Sequence, residues 1–250
     1  MNSGKKKTIR KKVSASNEFT RHAVAQLKHD YPNSRLRKYD VNDGPRLVEV
    51  SNTSYERLSK SIHKTFENCN ISEILQVCAP QMYGMFKLRY EEMKLVAGKN
   101  VKKRLLYHVT TESRALESLE TGLDWRRTVR AKYGYGVSFS DDADYANFYA
   151  DKFTDEDERV IMICSVLVKK IYVIPAEDDG NNLIVPPGRA DTTVSHNNRV
   201  LVKYNDYEFY PKYFVYYKRR PEHMTNSKYF RRNSHRTRSL VGGMKAMNLH

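Results

Sequence analysis

The chain has 250 residues, 40% of them hydrophobic, enough to bury one sizeable core, and its formal net charge is +15. Three cysteines, Cys69, Cys78 and Cys164, with no C-x-x-C spacing and no paired histidines beside them argue against a disulfide framework or a zinc site and fit a reducing compartment. No apolar run is long enough to span a bilayer, and no apolar stretch follows the N-terminal lysines as it would in an ordinary signal peptide.

The charge lies at the ends. Residues 1–12 hold six Lys/Arg and no acid, and residues 219–250 hold eight Lys/Arg against one Glu, so the middle is nearly neutral. Such ends read as phosphate-binding arms, as nuclear address signals, or as disordered solubilising tails. Taken in chain order, "SNEFTRHAVAQLKHDYP" has a Ser/Asn start, helical apolar spacing and a proline stop. It predicts a short helix near 16–30, lying outside the main fold. "RLVEV" (46–50) reads as a strand, and Tyr55, Leu58, Ile62 and Phe66 recur at steps of three and four, on one helical face. "ISEILQVCA" is a strand candidate. "PQMYGMFKLRYEEMKLVAG" is a helix with Pro80 in its first turn and Gly98 beyond its last.

From there the strands crowd together. "RLLYHVT" (104–110) is a strand, "TESRALESLETG" a helix capped by threonine and closed by Gly122, and "GVSFS" (136–140) a strand. "DDADYANFYADKF" is a helix capped by Asp141 or Ser140, and long strands are expected at about 159–174, 199–205 and 209–218. Short helices between strands predict an α+β domain, a mixed sheet core with helices at its margins. The expected organisation is a basic arm with a short helix over 1–45, one domain over 46–218, and a disordered basic tail over 219–250.

Two stretches carry chemistry. His108 stands near the end of a predicted strand, before Thr110 and Thr111, where an imidazole can meet free backbone amides; the alternative is a structural strand-end histidine. In "YGYGVSFSDDADYANFY" (133–149) the paired glycines let the backbone approach a ligand closely. Tyr145 and Tyr149, four apart, share a helical face on which a planar ring can stack, unless they simply pack that helix on the sheet.

These segments, with "GLDWR", "PPGRADTTV" and "RVLVKYNDYEFYPKYFVYYK", occur in an order and spacing that resembles the poly(ADP-ribose) polymerase (PARP) catalytic domain over about residues 46–218. The "DWR" and the closing "YPKYFVYYK" resemble its mono-ADP-ribosylating branch. The upstream "ISEILQVCAPQMYGMFKLRYEEM" is similar to another family segment, with Tyr83 at a tryptophan place.

The resemblance implies an ADP-ribosyltransferase-like split mixed β-sheet with short peripheral helices, binding NAD+ as substrate and needing no metal. Nicotinamide would leave the ribose through an oxocarbenium-like state that a protein acceptor attacks. By position, His108 matches the histidine that bonds a ribose hydroxyl, with Val109 and Thr110 beside it at the carboxamide. Tyr149 matches the tyrosine stacked on nicotinamide, with Tyr145 a turn before it. Arg126 sits where the "DWR" arginine lines the cleft, and Gly136 matches the last glycine of a turn whose lysine is here Tyr135.

Three positions depart from the family pattern. Val109 replaces a glycine, adding a branched side chain to a backbone that grips the carboxamide. Ser138 stands at the second triad place, where the family has tyrosine, and Val200 at the third, where chain-elongating members have glutamate. Without that carboxylate nothing polarises a ribose hydroxyl for chain growth, so poly-ADP-ribose synthesis is not expected. Glu208 and Asp206 are nearby acids that could compensate, or solvated loop residues. The implied function is NAD+-dependent mono-ADP-ribosylation of acceptor proteins. The alternative is an inactive interaction module whose basic tails bind RNA or DNA. No membrane partner is expected, and the location is nuclear or cytoplasmic.

Overall fold

In a computed structural model, the structure describes residues 18–36, 39–40, 43–97, 100–127, 131–150, 154–178 and 180–230. The basic arm before residue 18 and the tail after residue 230 lie outside the described residues.

Among the described residues nine strands form two sheets. Strands β1 (Arg46–Glu49), β2 (Ile71–Cys78), β3 (Lys102–Thr111), β5 (Glu158–Val168) and β9 (Phe209–Lys218) make a five-stranded sheet in the order β1-β2-β9-β5-β3. Strands β4 (Val137–Phe139), β6 (Ile171–Val173), β7 (Thr192–Val194) and β8 (Leu201–Lys203) make a second sheet in the order β4-β8-β7-β6. All neighbouring pairs are antiparallel except β6 and β7, so the architecture is mixed. An isolated bridge between Tyr107 and Ser140 links the edge of β3 to the end of β4, and there the sheet splits.

Among the described residues six α-helices flank the sheets: α1 (Glu18–Asp30), α2 (Asn52–His63), α3 (Pro80–Ala97), α4 (Glu112–Thr121), α5 (Ala143–Tyr149) and α6 (Pro221–Thr225). Two cores result. Leu27 of α1 and Phe86 of α3 pack with Leu106, Val137, Phe139, Leu201 and Phe214, filling the space shared by both sheets. On the other face of the large sheet, Leu58, Ile62 and Phe66 pack with Ala143, Ile161, Val215 and Tyr217, so the apolar stripe read from the sequence is the buried one. The α+β class therefore holds.

Several expectations are corrected. Helix α1 is not outside the fold: Tyr83 of α3 hydrogen-bonds Asp30 at its last turn, and Ala23, Val24 and Leu27 are buried. The strand expected over 159–174 is two strands in different sheets. The carboxylate of Asp191 accepts from the amides of Lys169 (3.2 Å) and Lys170 (2.6 Å), and the chain crosses from one sheet to the other at that turn. Strand β7 was not anticipated. Part of the supposed tail is also folded: α6 follows β9, and His223, Ser227 and Tyr229 are buried, which carries the packed domain to about residue 230.

Candidate active site

His108 is placed by strand alternation. Along β3, Tyr107 and Val109 point into the core beneath α2 and α5, which turns His108 to the opposite face, where its ring lies 5.9 Å from that of Phe139. Its Nδ1 is 2.9 Å from the backbone carbonyl of Ser138. A carbonyl only accepts, so Nδ1 carries the proton and Nε2 of the neutral ring keeps a lone pair. Burial pushes the imidazole pKa below its ordinary value, with the Ser138 carbonyl working in the other direction.

The outer edge of β3 supplies the next groups. Tyr107 exchanges both backbone hydrogen bonds with Ser140 across that edge, at 2.7 and 2.9 Å. With a period of two, Val109 directs its amide and carbonyl to the same edge, and among the described residues neither finds a backbone partner there. The Val109 side chain is buried with Ile161 and Val215. The valine side chain therefore adds no bulk at that outer edge. Thr110 is buried beside it.

Ser138 lies in β4 between buried Val137 and Phe139, with its own side chain exposed. Val200 is 6% exposed, and its amide donates to Ser195 Oγ at 3.0 Å, so this position offers only a buried aliphatic group.

Helix α5 packs on β3 and carries the tyrosines. The ring of Tyr145 lies 4.4 Å from that of Tyr149, which is 40% exposed. They do share one face, and burial, with neighbouring phenols as a smaller cause, raises the pKa of Tyr133 and of Tyr145 above its ordinary value. The N-cap is Asp142, not Asp141 or Ser140: Asp142 Oδ1 accepts from the Tyr145 amide at 3.0 Å, while Ser140 Oγ accepts from the Asp142 amide at 3.2 Å. Burial works against the Asp142 carboxylate, yet hydrogen bonds from Lys228 and Tyr229 and from the Tyr145 amide hold its carboxyl below the usual range.

The glycines have another purpose than the one expected of them. A Cβ on Gly136 would meet the Lys203 carbonyl oxygen at 2.3 Å, and one on Gly134, where φ is 115°, would meet the Tyr204 hydroxyl at 1.7 Å. The close approach that requires glycine is to the protein's own β8, at Lys203, and to Tyr204 just after it.

Arg126 belongs to a 3-10 turn, Trp125–Arg127, where its guanidinium pairs with Asp124 at 2.9 Å and lies 5.2 Å from the Trp125 ring. It is also near Asp206, whose carboxyl burial raises and Arg126 lowers. Glu208 is not a free acid. It is 2% exposed and paired with Arg89 and Lys203, both at 2.6 Å, and Lys203, fully buried, also meets Asp191 at 2.8 Å. Sequence reasoning missed this network because its members come from three separate segments. The only signal was one lysine inside an apolar strand.

Compared with known proteins, the chain matches the family model "PARP: Poly(ADP-ribose) polymerase catalytic domain" over residues 52–225. No curated protein matches it.

Proposed function

The chain belongs to the poly(ADP-ribose) polymerase catalytic-domain family, and from that premise we propose that it is an NAD+-dependent ADP-ribosyltransferase that adds single ADP-ribose units to acceptor proteins. The observation that carries this reading is the hydrogen bond from His108 Nδ1 to the Ser138 carbonyl. It leaves Nε2 as an acceptor for a ribose hydroxyl, one residue from the outward amide and carbonyl of Val109, which suit the carboxamide of nicotinamide. Tyr149, on the helix that packs against β3, offers the exposed ring on which nicotinamide would stack.

In the proposed reaction the bond between nicotinamide nitrogen and ribose C1′ breaks, nicotinamide leaves with the bonding pair, and an acceptor side chain forms the new bond to C1′. With Val200 buried and apolar, no carboxylate at that position can deprotonate an alcohol. An acidic side chain needs no deprotonation at neutral pH, so we infer Asp or Glu as the acceptor and a single transfer as the outcome. Glu208 is excluded as a substitute base because both its oxygens are engaged by cations. Incubation with labelled NAD+ tests the reading. One ADP-ribose per acceptor site is expected, and His108→Ala should abolish labelling while the protein stays folded. Labelling by His108→Ala would overturn the assignment.

A second reading, an inactive module that binds nucleic acid, is favoured by a different observation. Lys103 lies 3.8 Å from the centroid of the Tyr90 ring and Lys212 lies 4.9 Å from that of Tyr31. Both ammonium groups have pKa values lowered by burial and by neighbouring cations, Lys87 beside Lys103 and Arg57 beside Lys212. Such a field on the folded surface would attract phosphates in addition to the basic ends. Absence of NAD+ binding, with RNA retention that weakens steeply as salt rises, would favour this reading.

A further inference from the structure

Helix α5 has seven residues, too few to hold itself in water, so its position must come from tertiary anchors. Besides its packing on β3 and the bond from the Ala143 amide to Thr65 Oγ1 at 2.9 Å, α5 takes several polar anchors from the end of the folded chain. Tyr229 Oη and Lys228 Nζ each donate to Asp142 Oδ2 at 2.6 Å, and Ser227 Oγ donates to Asp144 Oδ2 at 3.0 Å. One turn further along α5, the buried Asn147 accepts from Tyr217 Oη at its side-chain oxygen (2.7 Å) and from Arg219 at its backbone oxygen (2.6 Å).

The same segment fixes the aromatic rings. Tyr229 stands edge-on to Tyr145 at 4.9 Å and lies 6.3 Å from both Phe148 and Tyr149. It is itself secured through α6, where the buried His223 packs edge-on against Phe66 at 5.2 Å. Arg219 adds a backbone bond to Asp157 at 2.9 Å. The groups facing Asp142 are Lys228, Tyr229 and, at 3.7 Å, Arg199, so this acid at the start of α5 is held mainly from the C-terminal side.

We propose that residues 219–230 form a clamp on α5, in which Tyr229 and Lys228, acting through Asp142, are positioning residues for the Tyr145–Tyr149 pair. The consequence for nicotinamide rests on the NAD+ reading above. The clamp lowers the cost of ordering Tyr149 when a ring binds, because the helix is already fixed. Losing it raises the KM for NAD+ and leaves kcat nearly unchanged, since none of its residues is placed at the reacting bond.

The full chain carrying Tyr229→Phe, Tyr229→Ala or Lys228→Ala tests this with two readouts, amide exchange across residues 143–149 and titration with NAD+. Tyr229→Ala is expected to speed exchange in α5 by about tenfold or more and to raise the NAD+ dissociation constant about tenfold, the effect of losing a charge-assisted hydrogen bond together with a ring contact. Tyr229→Phe, which keeps the ring, should recover part of both losses, and Lys228→Ala should show a smaller shift. If Tyr229→Ala lowers the melting temperature but leaves α5 exchange and NAD+ affinity unchanged, the clamp is overturned. If the unaltered chain binds no NAD+, the functional reading fails instead, and the exchange measurement still decides whether Tyr229 holds α5.

Discussion

Lys203 Nζ lies 2.6 Å from Glu208 Oε2, and neither side chain reaches solvent. Two buried charges so placed are stable only together, and Arg89 and Asp191 extend the pair into a chain of alternating sign. Glu208→Gln leaves Lys203 with the Asp191 carboxylate and the Thr192 hydroxyl but without its second anionic partner. Removing one partner of a buried pair costs about 3 kcal/mol at the low end of the known range, which lowers the melting temperature by about 6–12 °C for a domain of this size. Calorimetry checks this. The NAD+ affinity of the protein that remains folded should not change.

His108 ties stability to pH. Its pKa is depressed from the ordinary 6.5, chiefly by burial, so between the depressed value and 6.5 the unfolded chain binds a proton that the folded one refuses. Stability therefore rises with pH across that window and is lost as pH falls through it. His223, also depressed by burial, adds to the same slope. Denaturant midpoints measured from pH 5 to 7.5 should fall toward the acid side, and His108→Gln should flatten the slope by up to about 1.4 kcal/mol per pH unit without removing it.

Ser138 projects outward between two buried neighbours, so a larger side chain there meets no core. Ser138→Tyr should supply a second aromatic wall beside His108 and tighten NAD+ binding by up to about tenfold, the upper end of one ring contact. Isothermal titration reads this directly.

Val200→Glu should not bring about chain growth. Val200 is buried beneath the Ser195 turn, so a glutamate there is desolvated and its pKa is raised. A carboxyl with a raised folded-state pKa costs little while it is protonated and more as pH rises above its unfolded value. The melting-temperature deficit of this variant should therefore be larger at pH 8 than at pH 5, with product analysis still showing single units.

Much of the fold was legible because local periodicity decides it. The stripe Leu58, Ile62 and Phe66, the threonine cap and Gly122 closing α4, and Pro80 opening α3 all lie where the pattern puts them. What escaped was non-local. The break between β5 and β6 depends on a carboxylate more than twenty residues away, and β7 is three residues long, too short for a periodicity. At the site, the pairing of Tyr145 with Tyr149 follows from helical spacing. The direction of the Val109 side chain could not be read, because alternation fixes opposite faces but not which of them is the core.

The amino-acid order alone settled the class of fold, the family segments in their sequence, and the absence of an acid at position 200, since each is a matter of residue type and spacing along one chain. Only the assembled tertiary structure decided that Gly136 makes room for Lys203, that Glu208 is neutralised, and that Tyr229 reaches back to Asp142. Those relationships join segments far apart in sequence. Their energies come from burial and charge pairing, which exist only once the sheets have closed around them.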